Sequence, residues 1–193
     1  DVVISNAYIV PDREAIDFLR GQVERGVRYR ILTNSLASHD VPAVNAQYKQ
    51  WRRDLIETGV ELYETKPDAA VQALVVDTPP VEAAFMGLHA KAIVIDGKRV
   101  FIGSMNLDPR SWRLNSEMGV VVESESLGAE VLAAVERDLR PENAWRVTLD
   151  PDDDGDGEVI WVAGAEVLHR QPARNFWQRV EDLFLMLLPK EIY

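Results

Sequence analysis

The sequence lacks several features that mark particular classes of protein. It contains no cysteine, which excludes disulfide bridges, thiol catalysis and cysteine ligands for metals. It also lacks any run of 18 apolar residues, the length that a membrane-spanning helix requires. Basic residues are outnumbered, with 21 Lys and Arg against 32 Asp and Glu and a net charge of −11. Because proteins that bind nucleic acid usually carry a basic surface, this balance disfavours nucleic acid as a partner.

Histidine is also scarce in this chain. Of the three histidines, His39, His89 and His169, His89 alone is followed two residues later by a lysine, Lys91. A lysine ammonium beside an imidazole would repel a metal dication, and no second histidine or cysteine lies nearby in the sequence. The sequence therefore predicts no metal and no cofactor at His89.

A β-hairpin is predicted directly after His89. Residues 92–95 are apolar without alternation, which is typical of a strand buried on both faces. Asp-Gly at positions 96–97 separates them from a second apolar run at 99–102, and this combination is a strong hairpin signal. Because side chains alternate along a strand, His89 and Lys91 project to the same side. The returning strand brings three further residues back to that end, Gly103, Ser104 and Asn106.

These residue types suit the chemistry of a phosphate diester. Lys91 can neutralise the non-bridging oxygens, and Ser104 and Asn106 can donate hydrogen bonds to them. A neutral imidazole can attack phosphorus or protonate the leaving oxygen. The residue types alone leave a second interpretation equally open, in which His89 is a hydrogen-bonded core histidine and Lys91 is a surface lysine.

The spacing of these residues resembles the complete signature of the phospholipase D superfamily. The matching positions and their intervals are His89-x-Lys91-x4-Asp96-x6-Gly103-Ser104-x-Asn106. Three further segments, residues 33–48, 59–64 and 101–119, resemble the cardiolipin synthase branch of that superfamily. The similarity extends from about Val2 to the end of the chain.

The resemblance implies a role for each residue of the signature. His89 and Lys91 are expected to lie at the scissile phosphate as catalytic residues. The phosphate is expected to be bound by Lys91, Ser104 and Asn106.

Two acidic residues complete the implied catalytic set. Glu117 is expected to form a hydrogen bond to an active-site histidine and orient it. Asp96 is expected to be mainly structural, supporting the hairpin turn.

The activity implied by the resemblance is transfer of a phosphatidyl group through a phosphohistidine, making cardiolipin or a related phospholipid. The substrate would be a phospholipid, and the enzyme would act peripherally at the cytoplasmic side of the cell membrane. One alternative is a phospholipase D or other phosphodiesterase that uses water to hydrolyse lipid or nucleic acid. Another is a catalytically silent half that serves assembly or membrane docking, although the intact signature argues against it.

One departure from the superfamily pattern is that the signature occurs once. The resemblance implies two signatures per active site, one from each half of a long chain or from each protomer of a dimer. His39 and His169 do not begin a second copy, because Val41 and Gln171 stand where lysine is required. The chain is therefore interpreted as the C-terminal half of a larger enzyme, whose N-terminal half carries the other signature. A homodimer of this chain, through apolar surface around the site, is a further expectation.

The predicted fold is an α/β/α sandwich with a central mixed sheet, formed by a single domain over residues 1–193. Strands are predicted at 2–10, 27–33, 60–63 and 117–123, and helices at 12–25, 42–58 and 127–139. This alternation of strands and helices indicates helices on both faces of a sheet. Residues 65–87 are expected to form a loop. Tyr8 and Asn34 follow strands where they could overlook a pocket, but packing or turn formation is the favoured interpretation.

The acidic segment from Asp150 to Gly155 resembles the start of a calcium-binding loop. An EF-hand would have Asp at positions 1, 3 and 5 and Gly at 6, as here, but its twelfth position would be Trp161, which cannot bind calcium. The flanking segments are typical of strands and not of helices. A solvated acidic turn between two strands is therefore the favoured interpretation.

The C-terminal segment predicts an amphipathic helix at about 174–188. Its apolar residues fall on or near one face: Phe176, Trp177, Val180, Leu183, Phe184, Leu187 and Leu188. Such a helix could lie in a membrane interface, or it could pack on this domain or on the absent half, and the sequence favours neither.

Overall fold

The computed structural model describes residues 1–76, 80, 83–153, 155 and 157–185. Within these residues the chain forms nine strands and six helices. In chain order they are β1 (Val2–Asn6), α1 (Arg13–Glu24), β2 (Tyr29–Asn34), α2 (Pro42–Glu57), β3 (Glu61–Thr65), α3 (Gln72–Val75), β4 (Lys91–Ile95), β5 (Arg99–Gly103), α4 (Pro109–Arg113), β6 (Gly119–Glu123), α5 (Glu125–Asp138), β7 (Ala144–Leu149), β8 (Val159–Ala163), β9 (Glu166–Leu168) and α6 (Phe176–Leu185).

The nine strands form one mixed sheet in the order β6-β5-β4-β1-β2-β3-β7-β8-β9. The three central strands are parallel, with Ile4 of β1 opposite Ile31 of β2, and Ile31 opposite Leu62 of β3. Parallel neighbours need long crossover connections, and α1 and α2 supply them. All strands outside this centre run antiparallel to their neighbours.

Helices cover both faces of the sheet. The adjacent β1 residues Val3 and Ile4 belong to different hydrophobic clusters, as alternation along a strand requires. Ile4 shares its cluster with buried residues of α1 and α2, including Ile16, whereas Val3 shares its cluster with Val135 of α5. The predicted α/β/α sandwich with a central mixed sheet is therefore confirmed.

The predicted elements are present, with ends that differ by a few residues. Helix α1 begins after Asp12, whose carboxylate accepts a hydrogen bond from the Ala15 N–H at 2.9 Å. The first strand ends at Asn6 and not at Val10, because the segment after it leaves the sheet and pairs with Leu107. The 65–87 loop contains one short helix, α3.

The C-terminal helix is confirmed between Phe176 and Leu185. It begins two residues later than predicted because the Asn175 side chain accepts a hydrogen bond from the Gln178 N–H at 2.9 Å, which caps the first turn. The predicted helical residues Leu187 and Leu188 lie outside the described residues.

A buried ionic cluster ties α2 to the sheet. Glu64 of β3 is 0% exposed, and its carboxylate accepts hydrogen bonds from Arg52 at 2.8 Å, Tyr48 at 2.9 Å and Trp161 at 2.7 Å. The Arg52 guanidinium lies between the Tyr48 and Trp161 rings, 4.8 and 5.0 Å from their centroids. Both carboxylate oxygens of this buried charge are thus satisfied, as burial of an ion requires.

Candidate active site

His89 and Lys91 lie where the chain enters β4. Lys91 is 9% exposed and opposes Asn6, the last residue of β1. Its ammonium donates a hydrogen bond to the backbone carbonyl of His89 at 3.0 Å. The His89 side chain is exposed, and its imidazole forms no hydrogen bond, ion pair or ring contact with any residue in the described part of the chain. A core role for His89 is therefore wrong, and a nearly buried cation lies beside a free imidazole.

The hairpin after these residues is formed as predicted. Asp96 and Gly97 have φ values of 51° and 65°, the left-handed conformation that lets the chain reverse over residues 96–98 between the paired Ile95 and Arg99. The pairing of Ala92 with Ile102 brings the chain after β5 back to the end of the sheet where Lys91 lies. Asp96 is at the other end of β4, roughly 16 Å from Lys91 at about 3.3 Å per residue. Asp96 therefore cannot contact a phosphate held by Lys91, and its place is in the turn.

Gly103 ends β5 in a position where a side chain does not fit. A Cβ at Gly103 would lie 2.6 Å from the Met118 carbonyl oxygen and 2.9 Å from the Phe101 ring. The paired residue Gly119 is crowded by the same ring. The two glycines leave room for the Phe101 ring at the paired ends of β5 and β6, where Ser104 follows β5 and the segment from Glu117 leads into β6.

Ser104 and Glu117 are joined by hydrogen bonds. The Ser104 hydroxyl donates to Glu117 Oε2 at 2.5 Å and accepts from the Met118 N–H at 3.0 Å. The Asn115 amide donates to Glu117 Oε1 at 3.2 Å. These hydrogen bonds, first that from Ser104, lower the pKa of the Glu117 carboxyl. Glu117 is therefore held as an acceptor, and its carboxylate does not contact His89.

Asn106 lies on a loop that Asn6 holds in place. The Asn6 side chain donates to the Met105 carbonyl at 3.3 Å and accepts from the Leu107 N–H at 3.3 Å, so it brackets Asn106 on both sides. The Asn106 Oδ1 atom is buried and has no hydrogen-bond partner among the described residues. A buried acceptor without a donor is costly. Because phosphate oxygens are acceptors, Asn106 can bind a phosphate through its Nδ2 and not through this oxygen.

The role of Asn6 in holding the Asn106 loop was not predicted from the sequence. Its one signal was a polar residue at the end of an apolar run, and many strands end in this way.

Tyr8 lies over the site on the side of β1. Its ring centroid is 5.8 Å from the Lys91 ammonium and stacks on the His39 imidazole at 5.1 Å. Its hydroxyl donates to Asp40 Oδ1 at 2.8 Å. The favoured prediction that Tyr8 serves ordinary packing is therefore wrong, because it contacts the site. His39 and Asp40 also went unrecognised, since nothing in the sequence shows that their loop reaches Lys91.

Asn34 has the packing role that the sequence favoured. It is buried, and its amide donates to the carbonyls of Ala7 at 3.1 Å and Leu88 at 2.8 Å. Its Oδ1 accepts from the Leu88 N–H at 2.8 Å. Asn34 thereby fixes the backbone immediately before His89.

The electrostatics of the site centre on Lys91. Burial lowers the pKa of its ammonium, and the charges of Asp40, Glu117 and Asp108 act in the opposite direction. These three carboxylates come from the segments after β2, after β5 and before β6, which therefore meet near Lys91. A cleft of about 280 Å³ opens beside this place, lined by residues that include Tyr8, Asn106, Asp108 and Ser111. Asn106 is the residue of the signature in its lining, and His89, Lys91, Ser104 and Glu117 do not line it.

The described residues contain one group with metal-ligand spacing, and it lies at the other end of the sheet order. Asp150, Glu158 and His169 each offer one ligand atom within 4.8 Å of the others. His169 Nδ1 is 3.3 Å from Glu158 and 3.7 Å from Asp150, distances that contacts between an imidazole and carboxylates explain without a metal. The segments flanking the acidic turn are the strands β7 and β8, as predicted. Asp154, a predicted member of the calcium loop, lies outside the described residues.

The helices of the described chain include none that is both long enough and apolar enough to cross a membrane.

Comparison with known proteins gives independent evidence. Residues 1–139 match the protein family described as "Cardiolipin synthase, PLD-like domain". Cardiolipin synthase C of Escherichia coli K12 is 42% identical over 192 residues, covering 97% of this chain and 40% of that protein. Cardiolipin synthase A of Pseudomonas aeruginosa is 33% identical over 138 residues, covering 72% of this chain and 24% of that protein. The chain thus spans at most 40% of the length of these two relatives.

Solved structures share the fold at low sequence identity. The phospholipase D family member Nuc from Salmonella typhimurium aligns with a TM-score of 0.53 and 19% identity, over 75% of this chain and 82% of that one. The phosphatidylserine synthase of Haemophilus influenzae aligns with a TM-score of 0.52 and 19% identity, over 72% of this chain and 32% of that one. These likenesses support the fold alone, whereas the family match and the 42% identity extend to the signature itself. The chain belongs to the phospholipase D superfamily, in its cardiolipin synthase-like branch.

Proposed function

We propose that this chain carries one of the two catalytic signatures of a phosphatidyltransferase that makes cardiolipin or a related phospholipid. The observation that carries the proposal is the free His89 imidazole beside the nearly buried Lys91 ammonium. The identity of 42% to cardiolipin synthase C of Escherichia coli supports the choice of a lipid substrate.

The residues around the cleft divide the work on a phosphodiester. Lys91 is the fixed positive charge that stabilises the non-bridging oxygens as negative charge builds up in the transition state. The Asn106 amide nitrogen and Ser104 bind the phosphate, Ser104 by turning its one hydroxyl proton from Glu117 to a phosphate oxygen. Asn6 and Asn34 position the loops that carry Asn106 and His89. The site holds its positive charge on a side chain, so the proposed reaction needs no dication.

The reaction takes place in two displacements on phosphorus. In the first, an imidazole nitrogen forms a bond to phosphorus, and the bond from phosphorus to the leaving alcohol oxygen breaks as a second imidazole gives that oxygen a proton. In the second, the hydroxyl oxygen of an acceptor lipid attacks phosphorus, the phosphorus–nitrogen bond breaks, and the hydroxyl proton passes to the second imidazole. His89 supplies one of these imidazoles, and the other comes from the companion signature.

The companion half has a surface to pack against. Several exposed apolar side chains lie on β5, on β6 and on the segment between them, which also carries Ser104 and Glu117. We call them the mouth patch: Ile102, Leu114, Met118, Val120 and Val121. Strand β6, which carries two of them, is an edge strand of the sheet. An unpaired edge strand that carries exposed apolar side chains is a common place for another chain to bind, so a protein partner is the natural occupant.

Glu117 is the orienting residue in this arrangement. Because its carboxylate does not contact the exposed His89, it is available to accept a hydrogen bond from the imidazole of the companion half. By the same symmetry, a carboxylate of the companion half orients His89.

Replacement of histidines tests the proposal in the intact enzyme. His89→Ala should lower lipid turnover by at least ~10²–10⁴-fold, the contribution of a general acid or base, while leaving the fold unchanged. His169→Ala is the matched control, since His169 is also exposed but lies near the acidic turn. Turnover of His89→Ala at the wild-type rate would refute the site.

Product analysis distinguishes transfer from hydrolysis. With phosphatidylglycerol vesicles, transfer yields cardiolipin and glycerol, whereas hydrolysis yields phosphatidic acid and glycerol. We expect cardiolipin, together with acid-labile phosphate on the quenched protein when the lipid phosphate is labelled. Phosphatidic acid as the sole product would favour the phosphodiesterase alternative.

Sedimentation tests the mouth patch. The 193-residue chain alone should form a homodimer, and Val120→Ser with Val121→Ser should shift it to monomer. A wild-type chain that stays monomeric and still turns over a phosphodiester would show that one signature suffices.

A further inference from the structure

Helix α6 is amphipathic with its polar side turned inward. The residues of α6 that are buried are Gln178 and Asp182. The Gln178 amide donates to the Leu36 carbonyl at 2.6 Å. Asp182 accepts from the Asn45 amide at 2.7 Å and from the Lys49 ammonium at 3.0 Å, both on α2. Hydrogen bonds and a partly buried ion pair therefore hold α6 on the domain, where apolar packing would be usual.

The apolar side of α6 faces away from the protein. Trp177 is 75% exposed, Phe176 69%, Phe184 67% and Leu183 64%. At about 100° per residue, these four and Val180 fill an arc of roughly 120° centred opposite Gln178 and Asp182. We call this arc the outer face of α6. An ordinary surface helix has the reverse arrangement, so the outer face is built for apolar surroundings that the domain does not provide.

The segment that carries the outer face has a small excess of positive charge, with Glu181 as its one exposed acidic residue, in a chain that is otherwise acidic. The segment 170–185 carries three arginines and two acidic residues, although the whole chain has a net charge of −11. Arg170, Arg174 and Arg179 are exposed, and Asp182 is paired with Lys49. Aromatic residues bordered by arginines are the composition expected for binding at an anionic lipid surface.

The inner side of α6 and the residues before it contact the loop that leads to the active site. Gln178 holds Leu36, and Arg174 donates to the His39 carbonyl at 3.4 Å. The same loop carries Asp40, which accepts the Tyr8 hydroxyl over Lys91. A surface bound by α6 is therefore within one loop of the phosphodiester site. The mouth patch is a different surface: it lies on β5, β6 and the segment between them, whereas α6 contacts α2 and the loop after β2.

We propose that the outer face of α6 inserts into the interfacial region of an anionic phospholipid membrane and holds the active-site cleft at the lipid surface. The proposal rests on the proposed function, because it supplies the surface on which the lipid substrate reaches His89. An interfacial helix of this kind lies in the plane of the membrane and does not cross it.

Vesicle flotation of the 193-residue chain tests the proposal without any chemistry. The wild-type chain should float with vesicles that contain phosphatidylglycerol and bind less to vesicles of phosphatidylcholine alone. The triple variant Phe176→Ser, Trp177→Ser, Phe184→Ser should bind the anionic vesicles about tenfold more weakly or worse, since each aromatic side chain buries a large apolar area. Because all three side chains are exposed, its thermal melt should match that of the wild type.

A control variant removes exposed apolar residues elsewhere. Phe18→Ser with Leu74→Ser changes side chains on α1 and α3 that are also exposed. It should float within about twofold of the wild type, because scattered exposed apolar residues do not make a membrane surface. Equal loss in both variants would overturn the proposal.

Other outcomes separate this proposal from the proposed function. A wild-type chain that does not float, or a triple variant that floats unchanged, overturns the membrane role even if His89 proves essential for turnover. A triple variant that changes from dimer to monomer in sedimentation overturns it as well, because the outer face is then a protein contact. Normal flotation of a chain whose intact enzyme makes no lipid product would leave the membrane role standing and refute the proposed function.

Discussion

Two polar clusters in this domain differ in how completely their hydrogen bonds are satisfied. In the buried cluster, Glu64 receives three hydrogen bonds and both of its oxygens are occupied. At the active site, the His89 imidazole has no partner in the described chain and Asn106 Oδ1 is a buried acceptor without a donor. In the buried cluster Arg52 Nη2 has no hydrogen-bond partner among the described residues, but the Glu64 carboxylate is fully satisfied, which favours stability. The groups without partners at the candidate active site reduce stability and remain free to bind a ligand. The polar groups of the buried cluster therefore stabilise the fold, whereas those at the candidate active site are left available for a ligand.

The largest effect is expected from breaking the buried cluster. Glu64→Ala should lower the free energy of unfolding by about 3–5 kcal/mol, because it leaves the buried Arg52 charge without its partner. Chemical denaturation measures this. Glu61→Ala is the control: Glu61 also accepts from an arginine, Arg28, but that arginine is exposed and the cost should stay below about 1 kcal/mol. Equal costs for the two variants would contradict the structural role of the buried cluster.

Lys91→Met should lower activity without lowering stability, the opposite of what is expected for Glu64→Ala. Turnover in the intact enzyme should fall by about 10²–10³-fold, the usual cost of losing one electrostatic contact to the transition state. Stability should stay level or rise, since burial of the ammonium is unfavourable and methionine keeps the apolar stem.

The Lys91 assignment is checked by differential scanning calorimetry alongside the lipid assay. Chelators should leave wild-type turnover unchanged, because Lys91 supplies the charge that a dication would supply. Activity lost in EDTA and restored by one metal would contradict that role.

His39 should make the domain sensitive to acid. Burial lowers its pKa from 6.5 to about 4, with Arg174 acting in the same direction and Asp40 and Asp182 against it. Between pH 6.5 and 4 the unfolded chain binds a proton that the folded chain excludes. The free energy of unfolding should therefore decrease by about 3 kcal/mol as the pH is lowered across this range. His39→Asn should remove that part of the pH dependence, measured by denaturation at pH 7 and pH 4. The exposed His169→Ala should retain it, and an unchanged profile for His39→Asn would refute the explanation.

Asp40→Asn should have the smallest effect. Asp40 favours the charged form of Lys91, so its loss should lower the pKa of Lys91 further and move the alkaline limb of the pH–rate profile to lower pH. Turnover at neutral pH should fall only a few-fold, as removal of a partly exposed charge costs about 1 kcal/mol or less. Asp17→Asn, a charge change on the exposed side of α1, is the control. An alkaline limb that does not move would show that Asp40 does not influence the pKa of Lys91.

The parts of the site that could be predicted are those encoded locally. The strand alternation at His89 and Lys91, the Asp96-Gly97 turn and the return to Ser104 all depend on neighbours within about 15 residues. Local signals of this kind reflect steric and hydrogen-bonding preferences of short segments. They were sufficient to place His89, Lys91 and Ser104 at the same end of the hairpin.

The parts that could not be predicted depend on contacts between distant segments. Asn6 brackets Asn106 from a position 100 residues away in sequence, and Tyr8 reaches Lys91 because β1 pairs with β4. His39 and Asp40 join the site only because β2 is the next strand in the sheet. No periodicity in the sequence records these pairings.

The C-terminal helix shows which properties local sequence determines and which depend on tertiary contacts. The sequence by itself determined that residues around 176–185 form an amphipathic helix, because apolar side chains recur at the helical period. Tertiary structure decided which side faces inward, since Asn45 and Lys49 of α2 and the Leu36 carbonyl offer partners to Gln178 and Asp182. In the same way the sequence determined the signature and the fold class, whereas strand order decided which distant side chains surround Lys91. The physical reason is that backbone preferences act over a few residues, while charges and hydrogen-bonding groups find their partners through space.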